Sequence, residues 1–142
     1  MERQLIEVKD LKIEYRTDAG IAKAVNGINF SMGKGETLGI VGETGAGKTT
    51  SALGIMGLLP ERTGIVAGGE IIFDGKDLIK KKEREMMKIR GKEISMIFQD
   101  PMTSLNPVIP IGDQIAEGLI LHTKMKDKQV SDRVDEMLEL VG

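Results

Sequence analysis

Apolar and polar residues alternate along residues 4–16, QLIEVKDLKIEYR, a period of two that predicts a strand, a gap at Asp10 and a strand again. Asp18, Ala19 and Gly20 supply a turn. Ala24–Met32 then alternates once more, with Ile28, Phe30 and Met32 on one face. Gly33-Lys34-Gly35 turns the chain into TLGIVG, residues 37–42, a short apolar run of the kind found in a strand buried on both faces. These segments predict a small antiparallel sheet leading into a buried parallel strand.

Beyond that run the period changes. SALGIMGLL, residues 51–59, has helical spacing despite its glycines, and Pro60 is the expected stop. Residues 63–70, TGIVAGGE, read as a glycine-rich loop, and Glu70–Phe73 as a short strand that turns at Asp74-Gly75. From Lys76 to Lys92 charges of both signs surround Leu78, Met86, Met87 and Ile89. This pattern predicts a solvated helix ending near Gly91, not a basic binding patch. EISMIF, residues 93–98, predicts a third apolar strand, and the prolines of Gln99–Pro110 exclude regular structure there. Two helices follow, IGDQIAEGLILH and KQVSDRVDEMLELVG, the second with Val130, Val134, Met137, Leu138 and Val141 on one stripe.

Composition narrows the function classes. A chain of 142 residues that is 40% hydrophobic and 30% charged can bury a core, which excludes a disordered tail. No apolar stretch is long enough for a membrane-spanning helix, and the N-terminal MERQLIEVKD has no apolar region of the secretory type. The absence of cysteine excludes disulfide scaffolds, thiol nucleophiles and cysteine-ligated metal within the chain. A net charge of -2 gives no electrostatic case for nucleic acid as a partner.

The chemistry-bearing motif is Gly42-Glu43-Thr44-Gly45-Ala46-Gly47-Lys48-Thr49, which fits the phosphate-binding P-loop pattern G-x-x-x-x-G-K-[ST] without a mismatch. Its setting, a predicted strand before and a helix after, is the one the motif requires. The glycines let the backbone curl so that successive N–H groups face an anion, and the following helix directs its positive end at the same point. Lys48 supplies a mobile ammonium for the β- and γ-phosphates, the Thr49 hydroxyl a ligand for Mg²⁺, and Thr50 a hydroxyl for the α-phosphate. A nucleoside triphosphate is therefore the expected ligand.

AVNGINFSMGKGETLGIVGETGAGKTT, residues 24–50, together with IFQDPMTSLNP, residues 97–107, resembles the ATP-binding subunits of ABC transporters, and among them the oligopeptide, dipeptide and nickel importers. The resemblance runs from about Leu5 to the end. It implies an α/β fold: a partial P-loop NTPase core with an N-terminal antiparallel β subdomain and the start of a helical subdomain. Residues 1–100 would form the β subdomain and P-loop core, and residues 101–142 the beginning of the helical subdomain. ATP and Mg²⁺ are the implied ligands. Gln99 would be the Q-loop residue that contacts Mg²⁺ and the attacking water, and Tyr15 the aromatic that stacks on adenine. Lys48 and Gln99 are thus the candidate catalytic residues, and Thr49 and Gln99 the candidate metal ligands.

The implied partners are a second ATP-binding subunit and transmembrane permease subunits reached through the Q-loop region, at the cytoplasmic face of the membrane. Without the resemblance, Gln99 reads as a polar residue at a strand end and Tyr15 as an aromatic at the end of a surface strand. Val25 reads either as a support beneath the tyrosine ring or as a core valine. His122 reads as a helix-end residue.

No LSGGQ-like signature and no apolar run ending in Asp-Glu occurs in the sequence, nor a histidine where the family's switch residue belongs. The expected chain is therefore an N-terminal portion that binds nucleotide with little turnover. Two other readings fit parts of the pattern: an SMC-like P-loop ATPase and a non-catalytic nucleotide-binding module.

Overall fold

Strand β1 (Gln4–Thr17) pairs antiparallel with β2 (Gly20–Gly33) on one side and β3 (Gly64–Phe73) on the other. A computed structural model describes residues 4–100 and 104–142, and its contacts divide the chain into two units with a boundary after Met86. The two-residue β4 (Lys76–Asp77) completes the sheet of the first unit, in the order β2-β1-β3-β4. Val8, Leu11, Ile13 and Ile71 are the largest fully buried side chains and form the centre of the core.

The interruption at Asp10 is a bulge inside one continuous strand. Register shifts between Val8 and Leu11, and Asp10 has φ 45°. The extra residue matters because strand side chains alternate strictly, so an unbulged strand would send Leu11, Ile13 and Tyr15 outward if Ile6 and Val8 point in. The bulge rephases the strand and keeps both sets facing one core. Its backbone is held from β2, where the Asn29 Oδ1 accepts the Asp10 N–H at 2.9 Å.

Opposite the bulge, the sequence expectation fails. Residues 64–70 are not a loop but the first half of β3. A Cβ on Gly69, whose φ is 96°, would lie 2.5 Å from the carbonyl oxygens of Lys9 and Asp10. Glycine-rich sequence thus marks close strand approach here, and pairing with β1 overrides the low strand propensity.

Helix α1 (Lys48–Met56) lies against β1, with Gly54 over Ile13: a Cβ at Gly54 would be 2.5 Å from Ile13 Cδ1. The helix ends at Gly57, short of Pro60. The N–H groups of Gly57 and Leu58 close its last turn on the carbonyls of Gly54 and Leu53, at 3.1 and 2.8 Å. Helix α2 (Glu83–Ile89) is shorter than the charge pattern predicts and buries Met86 and Ile89. Its start is stabilised by Glu85, whose carboxylate accepts the Lys82 N–H at 3.1 Å and pairs with Lys81 at 3.6 Å. Those two contacts, the backbone hydrogen bond foremost, hold the Glu85 carboxyl below its ordinary range.

Two expected strands are absent. Residues 37–42 carry no strand, and Val41 is 98% exposed. Residues 93–98 make one isolated parallel bridge, Arg90 to Ile94, and Ile97 is 93% exposed. Apolar composition alone does not make a strand, because backbone donors and acceptors need a neighbour on at least one side. Among the described residues no strand pairs with either run.

In the second unit, α3 (Ile111–His122) packs against α4 (Asp127–Val141). Of the predicted stripe on α4, Val130 and Val134 are buried, whereas Met137, Leu138 and Val141 stay exposed. The loop before α3 is irregular, as its prolines require. It is tied down by Gln114, whose Oε1 accepts the Asn106 N–H and whose Nε2 donates to the carbonyls of Asn106 and Ile109, at 2.8, 2.9 and 2.8 Å.

Ile71→Ala is expected to cost about 2–5 kcal/mol of stability in urea denaturation, the range for emptying a packed core site. Val41→Ala and Ile97→Ala should change stability by no more than about 0.5 kcal/mol. A large loss at Val41 would show that residues 37–42 are buried after all.

Candidate functional site

The glycine-rich loop stands between the irregular residues 36–43 and the first turn of α1. Gly42, Glu43, Thr44, Gly45 and Ala46 are exposed, while Gly47 is buried. The loop closes on itself through the Ala46 N–H, which donates to the Glu43 carbonyl at 3.1 Å. Gly45 and Gly47 have φ 84° and 82°, left-handed values that side-chain-bearing residues rarely adopt.

Gly47 has a second reason to be glycine. A Cβ there would lie 2.5 Å from the Ala24 carbonyl oxygen and 3.2 Å from Val25 Cγ2. The loop therefore rests directly on β2, and Val25 is a core valine that supports the loop. Gly47 is also the N-cap of α1, and the helix leaves the N–H groups of its first turn, Lys48, Thr49 and Thr50, without intrahelical acceptors. These amides, the helix dipole and the open loop form an anion-attracting concavity.

Lys48 stretches back across the loop. Its Nζ donates to the carbonyls of Gly42 and Glu43, at 2.5 and 2.7 Å. The ammonium is thus already held at the mouth of the concavity by two neutral acceptors, and an anionic oxygen is a better partner for it than either. Thr49 is exposed and Thr50 half-buried. Helix α1 has no acidic residue in its first turn to repel an anion.

Tyr15 continues the inward row of β1 beyond Leu11 and Ile13. It is half-buried, paired with Ala22 and Gly64, and its ring lies over Gly64: a Cβ there would be 3.0 Å from Tyr15 Cε1. The same glycine faces Leu59 and Pro60, so the ring borders the segment that follows α1. Gln99 lies in the second unit, exposed, on the irregular stretch after Ile94. Pro101, Met102 and Thr103 of the motif around it lie outside the described residues. His122 ends α3 and packs on Gly91, where a Cβ would meet its Nε2 at 2.6 Å.

One residue beside the loop carries no signal in the motif itself. Ser51 is the buried polar side chain among the described residues, 4% exposed, and its Oγ donates to the Gly47 carbonyl at 2.8 Å. A run of hydroxyl residues, Thr49-Thr50-Ser51, is the only trace of it in the sequence.

Residues 25–142 match the family model described as ABC transporter. The chain is 52% identical over 139 residues to the oligopeptide transport ATP-binding protein OppD of Bacillus subtilis, covering 98% of this chain and 39% of that protein. It is 47% identical to the dipeptide transport ATP-binding protein DppD of the same organism, covering 98% of this chain and 42% of that protein. The chain thus spans about two-fifths of the length of these curated relatives. Among solved structures, a dimeric ATP-binding cassette, MJ0796, bound to ADP and Pi superposes with a TM-score of 0.79 at 24% identity, over 94% of this chain and 56% of that one. CbiO1 from Clostridium perfringens, part of the cbiONQ transporter complex, gives 0.67 at 26% identity, over 97% and 50%. The fold is that of a P-loop ATP-binding cassette.

Gly45 and Gly47 share a φ but not an environment, since nothing lies within 4 Å of a Cβ on Gly45. Gly45→Ala should cost only backbone strain, about 1–3 kcal/mol. Gly47→Ala should cost more when both variants are compared by thermal melt, because the loop must also lift off β2. Equal losses would mean that the contact with Ala24 is soft.

Proposed function

Because the chain belongs to the ABC transporter family, we propose that it holds the triphosphate of ATP in the Gly42–Thr49 loop, as the nucleotide-binding portion of a peptide importer's motor subunit. The observation that carries this reading is the loop itself. It has left-handed Gly45 and Gly47, the second seated on β2, a helix start with free amides, and a lysine held across the opening by two loop carbonyls.

In this reading the amides of Gly42, Glu43, Thr44, Gly45 and Gly47 line the phosphates, and the Ala46 N–H joins them by leaving the Glu43 carbonyl. Lys48 leaves the two loop carbonyls for the β- and γ-phosphate oxygens, and Thr50 reaches the α-phosphate. Among the described residues no cluster of three or more His, Cys, Asp or Glu can hold a metal ion. Mg²⁺ takes few protein ligands and completes its shell with phosphate oxygens and water, so a hydroxyl and an amide oxygen are enough to hold it beside the phosphates. Thr49, with its exposed hydroxyl, and Gln99 are the proposed ligands. Mg²⁺ supplies neutralisation of phosphate charge.

Tyr15, half-buried near the end of β1, stacks on adenine. Residues 1–100 serve as β subdomain and P-loop core, and residues 101–142 open the helical subdomain. Lys48 and Gln99 take part in catalysis in the assembled protein. The sequence contains neither the signature nor the Asp-Glu strand of the family, so turnover by these residues alone is small.

The partners are a second ATP-binding subunit and permease subunits contacted through the region around Gln99, and no nucleic acid is required. Attachment to the cytoplasmic face of the membrane then runs through the permease. Among the described residues no helix is long and apolar enough to cross a membrane. Peptides are favoured over nickel as cargo because the similar relatives are named for oligopeptide and dipeptide transport.

Calorimetric titration with MgATP tests the reading. The wild-type chain should bind, and Lys48→Ala should weaken binding roughly 10-fold or more, the worth of charge-assisted hydrogen bonds. Absence of wild-type binding would sink it. Tyr15→Ala should weaken ATP by about 1–3 kcal/mol, the scale of base–aromatic stacking. Inorganic triphosphate, which has no base, should be unaffected; equal weakening of both ligands would assign Tyr15 to the fold alone.

A further inference from the structure

We propose that Ser51 is a positioning residue for the phosphate loop: its hydroxyl pins the Gly47–Lys48 peptide so that the Lys48 N–H faces the concavity. This rests on the reading of the loop as a phosphate site. Three observations carry it. Ser51 is a buried polar side chain, 4% exposed, in a core whose other buried side chains, among the described residues, are apolar. Its Oγ donates to the Gly47 carbonyl at 2.8 Å, and so does its own backbone N–H, also at 2.8 Å. The acceptor is the last glycine of the loop, the residue wedged against Ala24.

A carbonyl oxygen has two lone pairs, and here Ser51 supplies a donor for each. In a planar trans peptide the C=O and the following N–H point in opposite directions, and the described chain has no cis peptide. Fixing the Gly47 oxygen toward the helix interior therefore fixes the Lys48 N–H toward the anion. The need for such a pin is local. Glycine makes the peptide easy to rotate, and preorganised donors stabilise charge better than donors that must first be ordered.

A hydroxyl that back-bonds four residues along a helix is otherwise neutral or mildly unfavourable. A small apolar residue would fill the site without burying an oxygen. The hydroxyl therefore points to the loop and not to helix stability. Ser51→Ala leaves no orphaned donor, and the Gly47 carbonyl keeps its backbone bond, so the fold survives the change.

The full chain and its Ser51→Ala and Ser51→Thr variants are to be compared by MgATP titration, by thermal melt and by the NMR order parameter of the Lys48 amide. Ser51→Ala should melt close to wild type and bind MgATP about 5-fold more weakly, the worth of one net hydrogen bond. The Lys48 amide should lose order, from the ~0.85 of a rigid backbone to a measurably lower value. Ser51→Thr, which keeps the hydroxyl, should restore both. Unchanged affinity and order in Ser51→Ala would overturn the proposal. Equal weakening in Ala and Thr variants would overturn it too, because the packed volume and not the hydroxyl would then matter. If no variant binds MgATP, wild type included, the phosphate reading falls; the order parameter still decides whether the hydroxyl pins the peptide.

Discussion

Gly47 approaches β2 so closely that a single added carbon would press on the Ala24 carbonyl oxygen at 2.5 Å. That contact sets where α1 begins, and so where the free amides of its first turn are presented. It works together with a second close approach, Gly54 on Ile13, also 2.5 Å from an added Cβ. One glycine seats the start of the helix and the other its middle. The loop before the helix is thereby placed by backbone against sheet, with the Lys48 side chain lying across its mouth.

The sheet that carries this arrangement is built around an irregularity. The bulge at Asp10 shifts β1 by one residue, and Gly69 admits the displaced backbone from the other side. Leu11 and Ile13 can then join Val8 and Ile71 in one core. Burial of each such side chain contributes about 1.5–3 kcal/mol. Losing the bulge would forfeit several of these terms at once, and Tyr15 would leave the face on which it meets Gly64. Sheet register and the proposed adenine platform therefore depend on the same residue pair.

The exposed apolar runs belong to the same physical account. TLGIVG and EISMIF have the composition of central parallel strands, and Val41 and Ile97 stand almost fully in solvent. Such strands are stabilised by neighbours on both edges and cover on both faces. The similar ATP-binding proteins of peptide transport are more than twice as long as this chain, which covers 39 and 42% of them. The glycine-rich loop is formed here without strand pairing in the run that precedes it. It leans instead on β2 and on the first turn of its own helix.

The sequence by itself determined what depends on neighbours along the chain. The Gly42–Thr49 motif, the helix after it, the turn at Asp74-Gly75, the two helices after Pro110 and the family were all legible, because each rests on local spacing or on residue identity. Tertiary structure alone decided what depends on distant partners. Residues 64–70 became strand because β1 pairs with them, and residues 37–42 and 93–98 did not because no strand among the described residues does. Ser51 gained its role from burial, and Val25 from the loop resting on it. Hydrogen-bond partners and burial are properties of the folded neighbourhood, and a one-dimensional pattern records them only when the partner is nearby in sequence.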